Sequence, residues 1–146
     1  MNQFIRDVEI RWSDLDPNFH LRHSVYYDFG AFVRIAFFTS NGITPQVMTQ
    51  HNIGPILFRE ECIFKKEIRL GDEVTIDVSL IKSRKDFSRL TFRHQVMKNK
   101  DLLSAILTLD VAWMNTTERK LAIPPQEVCS VMDAIPKDAS FQWLEK

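Results

Sequence analysis

Two carboxylates one residue apart, Asp14 and Asp16, are followed closely by two imidazoles, His20 and His23, and then by the aromatic pair Tyr26 and Tyr27. An aspartate in such a segment can attack an electrophilic carbonyl or deprotonate a water, and either chemistry also needs donors aimed at the oxygen where negative charge develops. The first amides of an α-helix are donors of this kind, because they have no acceptor within the helix. The same residue types also begin turns and cap helices, and Asp16-Pro17 alone would read as a turn. Asp14 is expected to tie the loop by accepting from backbone amides. The pair His20 and His23 lacks the further ligands of a metal site, and four glycines in the whole chain make no phosphate-cradling loop. No metal or other cofactor is expected.

The elements that must position this segment follow from periodicity. Phe4, Val8, Ile10 and Trp12 alternate with Asp7, Glu9 and Arg11, which predicts a half-buried strand over 4–12. After the polar stretch 13–23, an apolar run begins near Ser24, the expected N-cap or its neighbour, and ends at Ser40-Asn41-Gly42, where Gly42 can take the left-handed C-terminal position. That helix of about 17 residues, about 25 Å long, is apolar all round and so is expected to lie in a core. Beyond a looser segment, 43–54, four alternating runs follow. The first carries Ile56, Phe58, Cys62 and Phe64 on one parity, with Glu60 breaking the pattern; the third carries Leu90, Phe92 and Val96, with His94 intruding. A bulge that turns Glu60 to water, and a hydrogen-bonded core histidine at position 94, are the plain explanations. Short connections predict that these four strands form an antiparallel meander whose apolar face curls around the helix. Pro124-Pro125 then leads a short peripheral helix.

A length of 146 residues with 45% hydrophobic content suits one domain, residues 1–146, and eleven Phe, three Trp and two Tyr demand a packed interior. Nineteen basic residues balance nineteen acidic ones, so the chain has no basic field of the kind that drives nucleic-acid binding. No apolar stretch approaches the roughly 20 residues of a membrane span, and the charged N-terminal residues do not read as a secretory signal. With two widely separated cysteines, Cys62 and Cys129, a reducing cytoplasm is the expected setting. A basic cluster, Lys82, Arg84, Lys85, Arg89 and Arg93, surrounds one turn; it suits either a phosphate-landing site or a solvated strand end.

The order strand, Asp14-x-Asp16-x-x-x-His20, then an apolar helix with an aromatic in its first turn, resembles the 4-hydroxybenzoyl-CoA thioesterase family of hot-dog folds. Similar to that family too are the run from Glu61 through Phe64 to Gly71-Asp72, the long strands, and the closing Arg119-Lys-Leu-Ala-Ile-Pro124. The resemblance spans about residues 4–125. It implies an α+β hot-dog fold, a long curved antiparallel sheet wrapped around one buried central helix. It implies an acyl-CoA or acyl-carrier thioesterase with Asp16 as the catalytic carboxylate and the backbone amide near His23 polarising the thioester carbonyl. His20, Tyr26, Tyr27 and Phe58 become candidate substrate contacts, Arg84 and Arg89 candidate phosphate contacts, and the site lies between subunits of a homodimer or homotetramer. The chain departs from the family pattern at Phe19, where many relatives carry glycine, and at Arg22 and His23, where they carry two asparagines. Those departures keep a non-catalytic acyl-thioester binding module in view; a hydratase or dehydratase of the same fold would need a different carboxylate and histidine arrangement.

Overall fold

A computed structural model describes residues 3–144; the first two and last two residues of the expected domain lie outside the described residues. Its elements are β1 (Phe4–Val8), α1 (His23–Ser40), α2 (Pro45–Gln50), β2 (Ile53–Phe64), β3 (Val74–Arg84), β4 (Arg89–Lys98), β5 (Leu102–Asn115), β6 (Lys120–Leu121), α3 (Gln126–Ala134) and β7 (Lys137–Leu144). They build a hot-dog fold, a curled sheet around α1.

The strands run in the order β1-β3-β4-β5-β2, with β6 paired to β5 and β7 paired parallel to β3. The expected four-strand meander is therefore corrected to three strands, β3, β4 and β5. Strand β2 crosses to the far edge and pairs antiparallel with β5. Its link to β3 therefore forms no hairpin; within it Ile68 is fully buried, and its carbonyl accepts from Leu21 N at 2.7 Å. The β4–β5 hairpin does turn tightly, at Asn99 and Lys100, both with positive φ (52° and 78°).

Helix α1 holds the core. Val33 and Phe37 are fully buried, and Phe38 packs on Phe92 and Trp113 at ring-centroid distances of 6.3 and 5.8 Å. The inner face of the sheet supplies Ile76, Leu80, Leu107 and Leu109, all at 1% exposure or less. The helix is not buried all round, however. Phe32 and Ile35 are about half exposed, because the sheet covers only part of the helix circumference. Gly42, at φ 85°, follows the helix as expected.

Other expectations need correction. β1 stops at Val8, since Trp12–Asp14 coil into a single 3-10 turn that leaves Trp12 71% exposed. The segment 43–54 contains α2, capped by Thr44 Oγ1 accepting from Val47 N at 3.2 Å. The C-terminal helix, α3, is the third rather than the second, and β7 beyond it was not anticipated at all. Its partner is β3, and Asp138 of β7 forms an ion pair with Arg93.

Candidate active site

The loop between β1 and α1 is built from its own side chains. Asp14 is almost wholly buried; its Oδ2 accepts from Arg11 N at 2.9 Å, and its Oδ1 meets Arg11 Nη2 at 2.9 Å. The Arg11 guanidinium holds this carboxyl below the usual range. Arg22 closes the loop from the other side: its amide donates to Asp14 O and its guanidinium to Ser13 O, both at 2.7 Å. Between these anchors the chain doubles back. Asp16 N donates to His20 O at 2.8 Å, and Asp16 Oδ1 accepts from Asn18 N at 2.8 Å and His20 N at 3.1 Å. The second carboxylate oxygen of Asp16 has no protein hydrogen-bond partner among the described residues. Phe19 at the tip takes φ 63°, a conformation that glycine adopts freely and an L side chain adopts at a cost. Its ring tilts against that of Trp12 at 6.1 Å, and both are exposed.

Helix α1 begins directly after this loop, at His23. Its N-cap is Arg22, not Ser24, and no side chain caps it. Ser24 Oγ is engaged elsewhere, accepting from Arg22 Nε at 2.9 Å. A helix opened this way keeps its first amides available, together with the partial positive charge of the helix end.

Asp16, His20, His23 and Tyr26 line one cleft of about 290 Å³. The opposite wall is Phe64, Lys65, Lys66 and Glu67, at the end of β2 and just beyond it. His20 Nε2 lies 3.3 Å from Glu67 Oε2, and Glu67 is held below its usual pKa range by Arg69. Tyr26 forms the floor, 3% exposed, with its ring edge-on to Phe64 at 4.9 Å; burial raises its phenol pKa. Lys65 and Lys66 are pinned by their amides, which both donate to Ser104 O, at 2.8 and 3.0 Å. These wall residues carry no marker in their own spacing. They reach the cleft because β2 crosses the sheet, and the run Phe64-Lys-Lys-Glu at a strand end was the available signal.

The remaining candidates lie elsewhere. Tyr27 meets the Cys62 backbone further along α1. Phe58 is the extra residue of a bulge in β2, where pairing with β5 shifts between Leu57 and Arg59, and it is 53% exposed beneath the Arg89 guanidinium, 5.2 Å from its ring centroid. Ahead of that bulge the inner face belongs to odd positions, so Leu57 opposes Val111; after it, Glu60 and Cys62 oppose Leu109 and Leu107. The expected inward parity of Ile56 and Phe58 fails for this reason. The bulge does not turn Glu60 to water either: its side chain is only 18% exposed and lies 3.9 Å from Arg34. Arg89 pairs with Ala112, eight residues along β5 from Ser104, which sets it about 26 Å from the cleft at 3.3 Å per residue. Arg84 lies at that same far end, paired with Leu144. The structure therefore separates Arg84, Arg89 and Phe58 from Asp16. Burial pushes the Cys62 thiol up to about 11, which keeps it protonated.

A family model described as thioesterase-like superfamily matches residues 10–132. No curated protein matches the sequence. Among solved structures, a thioesterase complexed with coenzyme A and Zn from Thermus thermophilus is 25% identical, with TM-score 0.74, covering 89% of this chain and 91% of its own. A hypothetical protein from Staphylococcus aureus in complex with CoA is 17% identical at TM-score 0.83, covering 99% and 90%. A 1,4-dihydroxy-2-naphthoyl-CoA thioesterase from Synechocystis is 13% identical at TM-score 0.80, covering 90% and 96%. With a match that takes in the loop, α1 and every long strand, the chain belongs to the thioesterase-like superfamily.

Proposed function

We propose that this protein hydrolyses an acyl-CoA or acyl-carrier thioester to the free acid and the thiol, with Asp16 as the reacting carboxylate. One observation carries the reading: an aspartate with an unengaged oxygen and the uncapped start of α1 line the same cleft. The thioester carbonyl oxygen sits against the amides of His23 and Ser24, which stabilise the charge it develops; each such donor is worth about 3 kcal/mol of barrier lowering. Asp16 either attacks the carbonyl carbon, expelling the thiolate and leaving a mixed anhydride that water opens, or takes a proton from the water that attacks. In both routes one water is consumed, and the thiolate leaves as thiol. His20, held by Glu67, shapes the mouth, and Tyr26 lines the floor.

The exposed apolar residues Phe32 and Ile35 of α1, with Leu57 and Ile63 of the β2 edge, support assembly of at least a homodimer, since an open edge and an apolar helix face both call for cover. A reducing cytoplasm suits the two free thiols.

Thiol release from a panel of acyl-CoAs tests the reading. Stoichiometric CoA release that depends on Asp16 is the expected result. Thermal stabilisation by acyl-CoA without thiol release would replace the hydrolase with a binding module, which the strained Phe19 tip favours; a changed acyl group with the thioester intact would indicate a hydratase.

A further inference from the structure

Glu67 closes the far wall of the cleft, and its own surroundings fix it before it meets anything across the gap. Its neighbour Lys66 is clamped at both backbone ends by Ser104, a fully buried residue of β5 whose carbonyl accepts from Lys66 N and whose hydroxyl donates to Lys66 O. The Glu67 carbonyl accepts from Lys98 Nζ, and its Oε1 accepts from Arg69 Nη2 at 2.9 Å. That leaves Oε2, which lies 3.3 Å from His20 Nε2. A pair between two mobile surface side chains is weak, but a carboxylate already held by a network loses little freedom on pairing. Because a carboxylate accepts and does not donate, Nε2 carries the ring proton whether the imidazole is neutral or charged.

On the near wall the same histidine reaches Asp16 through its backbone. His20 N donates to Asp16 Oδ1 at 3.1 Å, and His20 O accepts from Asp16 N at 2.8 Å. The other amide on that oxygen, Asn18 N at 2.8 Å, is two residues away and moves with the turn itself. One amide lets a carboxylate swing about the bond. Two fix its plane, so position 20 decides where the second oxygen of Asp16 points. Position 20 adjoins Phe19, whose φ of 63° is a strained conformation that persists only while its surroundings hold it. The bridge between His20 and Arg69 holds the backbone there, and Glu67 holds the ring. Wall and aspartate are thus joined in series, Ser104 to Lys66, Glu67 to His20 and His20 to Asp16, by contacts of 3.3 Å or less.

We propose, building on the thioesterase reading, that Glu67 is a positioning residue of the reaction: through His20 it holds the Asp16 carboxylate in the orientation that leaves one oxygen for the thioester. Misplacing a reacting group by about 1 Å can cost about 100-fold in rate while substrate still binds, so the effect falls on kcat and spares KM.

Kinetics with acyl-CoA thioesters and amide exchange test this together. Glu67→Ala is expected to lower kcat about ten-fold with KM within about two-fold of wild type. It is also expected to speed exchange of the His20 amide about three-fold, while the amides of β3, β4 and β5 keep their protection. Glu67→Gln, whose amide oxygen still accepts from Nε2, is expected to keep about half of kcat. Added to Asp16→Asn, Glu67→Ala should cost nothing further, because its effect runs through that carboxylate. Wild-type kcat or unchanged His20 exchange in Glu67→Ala, a Gln variant as impaired as Ala, or an undiminished loss on top of Asp16→Asn would overturn the assignment. The two readings fail separately. CoA release indifferent to Glu67 would defeat this inference and leave the thioesterase standing. A wild-type chain that releases no CoA would sink the hydrolase, and His20 exchange then decides the positioning of Asp16 alone: faster in Glu67→Ala sustains it, unchanged overturns it.

Discussion

Arg34 Nη1 sits 2.9 Å from Nε2 of His94, and because a guanidinium can only donate, that ring nitrogen must accept. The ring proton is therefore on Nδ1, which donates to Asp77 O at 2.8 Å. Both nitrogens are satisfied in the neutral form, and burial beside a cation pushes the imidazole pKa down to about 3.

Acid should loosen the fold through this residue. The unfolded chain takes up a proton on His94 near pH 6.5 while the folded one refuses it until about 3, so stability falls as pH drops through that interval. The slope expected is up to about 1.4 kcal/mol per pH unit. Urea unfolding at pH 7, 6 and 5 measures it. A folded His94→Gln variant should show a flatter profile; an identical slope would assign the acid sensitivity elsewhere.

Asp16→Asn is expected to lower turnover at least 100-fold with little change in melting temperature. The amide oxygen can still accept from Asn18 N and His20 N, so the loop keeps its shape while the chemistry goes. Asp16→Ala should lose both, with about 1 kcal/mol of stability gone as well. An Asn variant with wild-type kcat would remove Asp16 from the mechanism.

Asp14 is bonded within the loop, to Arg11. Asp14→Ala removes a buried carboxylate and leaves the Arg11 amide without its acceptor, while the exposed Arg11 guanidinium returns to water, and is expected to cost about 1 kcal/mol of unfolding free energy. Any loss of activity should track loss of loop order, visible as faster amide exchange over 11–22. Undiminished stability would show that Arg22 alone can hold the loop.

Phe19→Gly tests the strained tip. Relief of a left-handed backbone conformation is worth about 1 kcal/mol, and the forfeited contact with Trp12 joins two exposed rings and is weak. The variant is expected to melt higher and keep its activity. A lower melting temperature would mean that the aromatic pair matters more than the strain.

Much of the frame was legible in the residues. Alternation in β3 and β5 marked Val74 to Leu80 and Leu103 to Trp113, because these strands are buried on one face along their length. Helix α1 was legible from its apolar run and Gly42, but not the bare flank at Phe32 and Ile35, since periodicity reports composition rather than how far a sheet wraps. The position of β2 was not legible: adjacency in the chain favoured β3, whereas its partner is β5, whose residues lie about fifty positions further on. In the cleft, Asp16, His20, His23 and Tyr26 stood close in sequence and were found together. The far wall, Phe64 to Glu67, arrives by topology, and local spacing cannot encode it.

The spare residue in β2 has a last consequence. At Phe58 the outer strand bends, so its free backbone groups form two short rows instead of one straight ladder. A straight strand from another chain can align with one row but not with both, which makes this edge a poor template for open-ended sheet growth.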